Sequence, residues 1–324
     1  MRAALIEELG QPPRLGEVAT PERRDGQALV QITAAPINPV DLSIAAGGFY
    51  AGDPALPYVP GVEGFGRVLE AQGLEPGTRV YVTTDGGRGG PGSLTERMAV
   101  DEAALTTAPD GLDDGLAACF GVAGLAAWLP LGWRTDLREG ETVLVLGASG
   151  AVGQIAVQAA KLLGAGRVVA AARDREGLER ARALGADATV ELSAGSDPDD
   201  IAEAIRDGAG GEGVDVTVDP LWGEPMVAAA KASAPGARIV NVGQSADAEA
   251  TLASATVRGQ GLAILGHSNF AAPAEVKAAA YRRMVEEAAA GRLTVEHEVL
   301  PLDRVAEAWE RQAQSPHRKL VLSP

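Results

Sequence analysis

The chain has 324 residues, 46% hydrophobic and 22% charged, with 44 acidic against 28 basic side chains and a net charge of −16. That balance fits a well-cored globular protein with room for two domains, and it argues against a nucleic acid or an anionic membrane as partner, since no basic face would release counterions. Cys119 is the only cysteine, which excludes a disulfide framework or a thiolate metal cluster within the chain; no apolar run approaches the roughly 18 residues of a membrane span.

The opening MRAALIEELGQPP carries two early acids and no long apolar run, so no signal peptide is expected and a cytoplasmic location is the default. Residues 1–110 hold short apolar runs punctuated by Gly and Pro: ALVQITAAPINP, GFGRVLEA, TRVYVTT and LTERMAV. These predict a small, mostly antiparallel β domain. Near residue 112 the texture changes. Apolar strands TVLVLG, RVVAAA, ATVEL, VDVTVD, ARIVNVG and LAILG then alternate with Ala-rich helical segments such as 176–184, out to about 267. That alternation predicts βαβ units and a parallel sheet. The acidic stretch SAGSDPDD (193–200) reads as a solvated turn before a helix. A helix over 273–290, a strand near 293–300, a helix near 302–313 and the strand KLVLS follow. The last strand is placed to rejoin the N-terminal domain.

The most informative stretch is VLVLGASGAVG (143–153), an apolar strand entering a Gly-rich turn. AVGQIAVQAAKLL (151–163) continues it with the apolar spacing of a helix buried on one face. Strand, glycines and helix together present backbone N–H groups and a helix N-terminus to a dinucleotide pyrophosphate. The glycines fall as GxxGxxG at Gly147, Gly150 and Gly153, and the competing reading is a tight turn without a ligand. Ser149, Ala151 and Val152 complete the set of turn residues expected at the cofactor. The strand RVVAAA ends in Arg173, with Asp174 and Arg175 behind it. A guanidinium suits the 2′-phosphate of NADPH by charge and bidentate geometry; Asp174 keeps NADH open, because a carboxylate suits the ribose hydroxyls of NAD.

Five blocks in order resemble the medium-chain dehydrogenase/reductase superfamily, in its zinc-independent, zeta-crystallin-like quinone oxidoreductase branch: INPVD (37–41), PGVEGFGRV (60–68), the glycine turn with its helix, ARALGAD (181–187) and GVDVTVDPLWG (213–223). The resemblance implies an α/β chain: a GroES-like domain begun at 1–115, an inserted Rossmann doubly wound parallel sheet at 116–267, and a return at 268–324. It also implies a homodimer joined edge to edge through the strand near 262–266. Asn38 stands where zinc-dependent members carry a cysteine, and Val62 where they carry a histidine, so no zinc is expected. By the same resemblance Asn38 is a candidate hydrogen-bond donor to a developing enolate oxygen, with a turn-forming role as the alternative. Asp41 is a second catalytic candidate, with capping of the following helix as its plainer role. His267, in GHSNF, is the candidate proton donor, and a strand-end histidine bonded to backbone is the competing reading.

Asn241, Val242 and Gly243, after a Rossmann strand, are expected along the nicotinamide-side ribose; Asn269 and Lys319 complete the cofactor set. Ser43, Phe49, Tyr50 and Ala126 are the expected substrate pocket. Ser43, Phe49 and Ala126 replace the hydroxyl-bearing residues familiar in the branch, which allows a bulkier, more apolar small-molecule substrate. Cys119 and the tryptophans 128, 222 and 309 read as core, His297 and His317 as surface. The expected activity is NADPH-dependent hydride transfer to an enone or quinone. A broad two-electron quinone reductase is the runner-up, and a non-catalytic NADPH-binding sensor or structural protein is the reading from another class.

Overall fold

The structure, a computed structural model, describes residues 1–193 and 195–324; residue 194, inside the acidic 193–200 turn, lies outside them. The chain divides into two compact units. Unit one comprises Met1–Val122, Tyr281–Gly291 and Val295–Pro324, and unit two Ala123–Ala280 and Arg292–Thr294.

Unit one begins with β1 (Arg2–Leu5), β2 (Arg14–Glu17), β3 (Gln27–Pro36), α1 (Pro39–Ala46), β4 (Glu63–Glu70), β5 (Arg79–Thr83), β6 (Arg97–Asp101), β7 (Leu105–Thr107) and α2 (Asp114–Cys119). In β3 the alternation turns Ala28, Val30 and Ile32 inward. They meet Val68, Val80 and Met98 of the neighbouring strands in one core. The first unit extends past residue 115 because α2 is tied to the sheet: Asp114 takes a hydrogen bond from Thr33 (2.7 Å) and pairs with Arg79 (2.6 Å).

Unit two carries α3 (Val122–Leu129), β8 (Thr142–Leu146), α4 (Ala151–Leu162), β9 (Arg167–Ala172), α5 (Arg175–Ala183), β10 (Ala188–Glu191), α6 (Pro198–Gly208), β11 (Val214–Asp219), α7 (Gly223–Lys231), β12 (Ser233–Asn241), α8 (Ser254–Gln260) and β13 (Ala263–Gly266). Its six strands are all parallel, in the order β10-β9-β8-β11-β12-β13. The order reverses between β8 and β11, so the C-terminal ends of those strands form the switch point where such sheets bind ligands. Asp197 caps α6, accepting from the Asp199 N–H at 2.8 Å.

The chain returns through α9 (Ala274–Ala289), β14 (His297–Pro301), α10 (Val305–Ala313) and β15 (Lys319–Ser323). β15 pairs antiparallel with β3 and parallel with β14, so KLVLS completes the first unit's sheet. The return falls at Tyr281 rather than 268, with residues 292–294 reverting to unit two. Gln158 of α4 holds that excursion, donating to the Thr294 carbonyl (2.7 Å) and accepting from its N–H (3.0 Å). Among the described residues no helix is long and apolar enough to cross a membrane.

Candidate active site

In unit one, the site grows from the junction of β3 and β15. The Ile37 N–H donates to the Leu320 carbonyl at 2.9 Å, which sets Asn38 beside Lys319 although 281 positions separate them. Asn38 is the N-cap of α1 and Pro39 supplies the first helical position. Asp41 is therefore the third helical residue and not the cap itself. Its Oδ2 accepts from the Asn38 backbone N–H (2.8 Å) and amide nitrogen (3.3 Å), and its Oδ1 from the Val62 N–H (2.9 Å). Glu63 opens β4. Its Oε1 accepts from the Asn38 amide at 2.9 Å, and its Oε2 from the Tyr81 hydroxyl (3.1 Å) and the Val122 N–H (2.5 Å). The Lys319 ammonium donates to Asn38 Oδ1 and lies 3.6 Å from Glu63 Oε1.

All five side chains (Asn38, Asp41, Glu63, Tyr81 and Lys319) are buried. Burial pushes the Asp41 carboxyl up to about 6, opposed by the Asn38 N–H, the Lys319 charge and the Val62 N–H, while Glu63 adds to the rise. Burial and then the Glu63 charge hold the Tyr81 phenol well above its usual range. The Cys119 thiol is buried, donates to the Gly115 carbonyl at 3.1 Å and is likewise pushed up by burial, which makes it inert packing.

Two of the expected residues are held by internal partners in this geometry. Both amide hydrogens of Asn38 are engaged, by Glu63 and Asp41, so the side chain is an internal link and not a free donor. Lys319, expected on the cofactor, is buried at the start of β15, where it meets Asn38 and Glu63. Of the expected pocket, Ser43 is exposed and donates to the Pro39 carbonyl at 3.2 Å. Phe49 lies under the Arg88 guanidinium (5.0 Å) against the Tyr50 ring (4.5 Å), and Tyr50 is 78% exposed. His297, expected at the surface, is half-buried and stands 3.4 Å from Asp113.

In unit two, Gly147 turns the chain after β8 with φ 63°. Gly153 lies so close to this turn that a Cβ there would overlap the Gly147 carbonyl oxygen and sit 2.5 Å from the Ala148 Cα. Pro220 and Leu221, after β11, pack against Gly147 from the other side of the switch point. Gly150 caps α4 and donates its own N–H to the Gly147 carbonyl at 3.1 Å. The first N–H groups of the helix, from Ala151, Val152 and Gly153, have no intrahelical partner. Ser149 is buried beside them. This cradle and helix N-terminus fit a dinucleotide pyrophosphate.

At the end of β9, Asp174 accepts from the Gly177 N–H at 2.8 Å and caps α5. That contact commits the carboxylate that would suit an NAD ribose. Arg173 is exposed, and Arg175 pairs with Glu191 at 2.9 Å on the surface. At the end of β12 the Asn241 amide donates to the Gly243 carbonyl at 2.6 Å, and the Val242 N–H donates to the Asp219 carbonyl. The His267 N–H donates to the Asn241 carbonyl, while its Nε2 lies 3.0 Å from Asn269 Oδ1. Burial holds the imidazole below its usual range, with the Asn269 contact opposing the shift and the Arg134 charge adding to it. Ala126 lies half-buried in α3.

Two acids are not evident from the sequence. Glu63 sits inside the PGVEGFGRV turn, but no local pattern marks it as buried. Asp219 ends β11 fully buried; its Oδ1 accepts the Leu221 (2.9 Å) and Trp222 (2.8 Å) N–H groups. It thereby holds Trp222 at φ 61° and ψ −162°, a conformation close to glycine-only. An acid closing an otherwise apolar strand is the available signal.

Residues 24–110 match the alcohol dehydrogenase GroES-like domain, and residues 151–286 match the zinc-binding dehydrogenase family. Quinone oxidoreductase-like protein 2 of Bos taurus is 33% identical over 246 residues, covering 75% of this chain and 68% of that protein. The chain belongs to the medium-chain dehydrogenase/reductase superfamily. Within it, the chain is 35% identical over 184 residues to the chloroplastic NADPH-dependent alkenal/one oxidoreductase of Arabidopsis thaliana, and spans 47% of that protein with 54% of its own length. It is 35% identical over 267 residues to a phenolphthiocerol/phthiocerol polyketide synthase of Mycobacterium tuberculosis, a match that takes in 78% of this chain but only 12% of that protein. The quinone oxidoreductase of Thermus thermophilus, solved also in complex with NADPH, matches with a TM-score of 0.79 and 28% identity, covering 100% of both chains.

Zinc, which the family description implies, does not fit these residues. Asn38 and Val62 offer neither thiolate nor imidazole, and Asp41 and Glu63 are already satisfied by N–H groups, a phenol, an amide and an ammonium. Among the described residues no three His, Cys, Asp or Glu side chains are grouped to hold a metal.

Both halves of this chemistry can be tested by stability. Gly153→Ala forces a backbone shift in the turn and is expected to lower the thermal midpoint by several degrees, on the order of 1–3 kcal/mol of overpacking; a melt of the variant checks it. Asp41 titrates higher folded than unfolded, so its contribution is fully present below pH about 4 and is lost as pH rises through about 6. Relative to Asp41→Asn, the native chain should lose about 3 kcal/mol between about pH 4 and pH 7, because each pH unit between the unfolded and folded pKa is worth about 1.36 kcal/mol. Denaturant titrations at the two pH values measure it.

Proposed function

We propose that this chain is an NADPH-dependent reductase of activated carbon–carbon double bonds. The observation that carries the reading is the end of β9, where Asp174 is committed to the α5 cap and exposed Arg173 is left to meet a 2′-phosphate. The names of the alkenal/one oxidoreductase and of the NADPH-complexed quinone oxidoreductase support the same cofactor.

The N–H groups of Ala151, Val152 and Gly153, held in place by the Gly147–Gly150 turn, would hold the pyrophosphate. Arg173 and Arg175 would take the 2′-phosphate, and the Asn241–Gly243 turn the nicotinamide-side ribose. A reduced nicotinamide held there would supply a hydride for the β-carbon of an enone. Gly153 lets the helix approach the Gly147 turn, and Leu221 packs against Gly147 from the opposite strand end. The α-carbon takes its proton from water, since His267 Nε2 is engaged with Asn269. Replacement of hydroxyl-bearing positions by Phe49 and Ala126 supports an enone over a hydrophilic quinone. The chain works without zinc, and a homodimer forms through the free edge of β13, where Ile264 is exposed.

Following oxidation of NADPH by its absorbance, against matched enones and quinones, tests the assignment. Turnover on enones is expected; turnover on quinones alone would replace it with a quinone reductase, and binding without turnover with a sensor. Arg173→Ala should raise the KM for NADPH about tenfold, as for loss of one charge-assisted bond, and leave NADH unchanged. Equal efficiency of the native chain with NADH and NADPH would overturn the cofactor assignment. Light scattering on an Ile264→Lys variant should report monomer where the native chain reports dimer.

A further inference from the structure

Lys319 opens β15 with its ammonium buried to 3% exposure, an unfavourable position unless charge and hydrogen bonding compensate. The compensation is specific. Glu63 Oε1 lies 3.6 Å away, and Asn38 Oδ1 accepts directly from the ammonium. The Tyr81 hydroxyl on Glu63, the Tyr281 ring stacked on Tyr81 at 4.5 Å and the Cys119 thiol complete the surroundings, with the Arg79, Asp113 and Asp114 charges beyond them. Asn38 makes the link. Its oxygen faces the cation, while its nitrogen serves Glu63 and Asp41.

The superfamily's zinc-binding description implies a cation, and the residues that fail to fit zinc surround an ammonium instead. We propose that Lys319 is the resident cation of this centre. It supplies by charge the compensation that buried Glu63 requires, and it fixes the Asn38 amide with its oxygen inward. The inference does not depend on the choice of NADPH or of an enone substrate.

The test is a charge-compensation cycle on the full chain. Lys319→Met leaves Glu63 buried without its cation and is expected to lower the thermal midpoint by about 10 °C, the scale for breaking a buried pair. Adding Glu63→Gln removes the stranded charge, and the double variant is expected to recover at least half of that loss. A lysine that only fills space predicts no recovery. A double variant as unstable as the single one, including failure of both to fold, overturns the proposal. In parallel, calorimetric titration of the native chain with zinc chloride should show no stoichiometric site. Uptake of one zinc per chain that Glu63→Gln abolishes would also overturn it.

Discussion

Unit one is organised around a burden that its sequence imposes: two carboxyl groups, Asp41 and Glu63, carried into an apolar interior. Each has to be met by donors, and the donors come from almost every part of the unit. The α1 cap supplies the Asn38 N–H and amide, the turn before β4 supplies the Val62 N–H, β5 supplies a phenol, β15 an ammonium, and the exit toward α3 the Val122 N–H. Strand register, helix start and chain exit are thereby fixed together, because a shift in any one strands a charge in low dielectric.

Unit two solves the opposite problem. Its candidate site is made by leaving side chains out, so that backbone can approach backbone at Gly147 and Gly153 and the first N–H groups of α4 stay available. The chain carries net charge −16, so under the proposed function a polyanionic cofactor would depend on such local donors and on the arginines after β9 against the general field. The strain at Trp222 belongs to the same arrangement: Asp219 fixes two N–H groups at once, and the turn that results brings Leu221 onto Gly147.

The architecture is legible in the sequence because it rests on periodicity. Each of the six parallel strands is marked by its own apolar run, and KLVLS stands out as a strand that must find a sheet. The glycine turn is legible because its chemistry is local. The polar centre is only half legible. Asn38 and Asp41 lie three residues apart and draw the eye together; the position of Pro39, however, starts α1 two residues before Asp41 and changes Asp41 from cap to partner of the cap. Lys319 and Glu63 meet Asn38 only through the pairing of β15 with β3 and of β3 with β4, and no local signal encodes that register. The half-buried place of His297 is hidden for the same reason, since its partner Asp113 is remote in sequence.

The exit from unit one carries a consequence for how the superfamily can be recombined. Gly121 has no room for a side chain, since a Cβ would collide with Glu63 Oε2 and the Tyr81 ring, and the next residue donates its N–H to that same oxygen. The joint is therefore chemically part of the first unit. A chimera that grafts a foreign nucleotide-binding module onto this scaffold has to place its seam after Val122, inside the first turn of α3. A seam drawn a few residues earlier, at the apparent end of the β-rich segment, would drive the side chain of any non-glycine residue at position 121 into the carboxylate pocket.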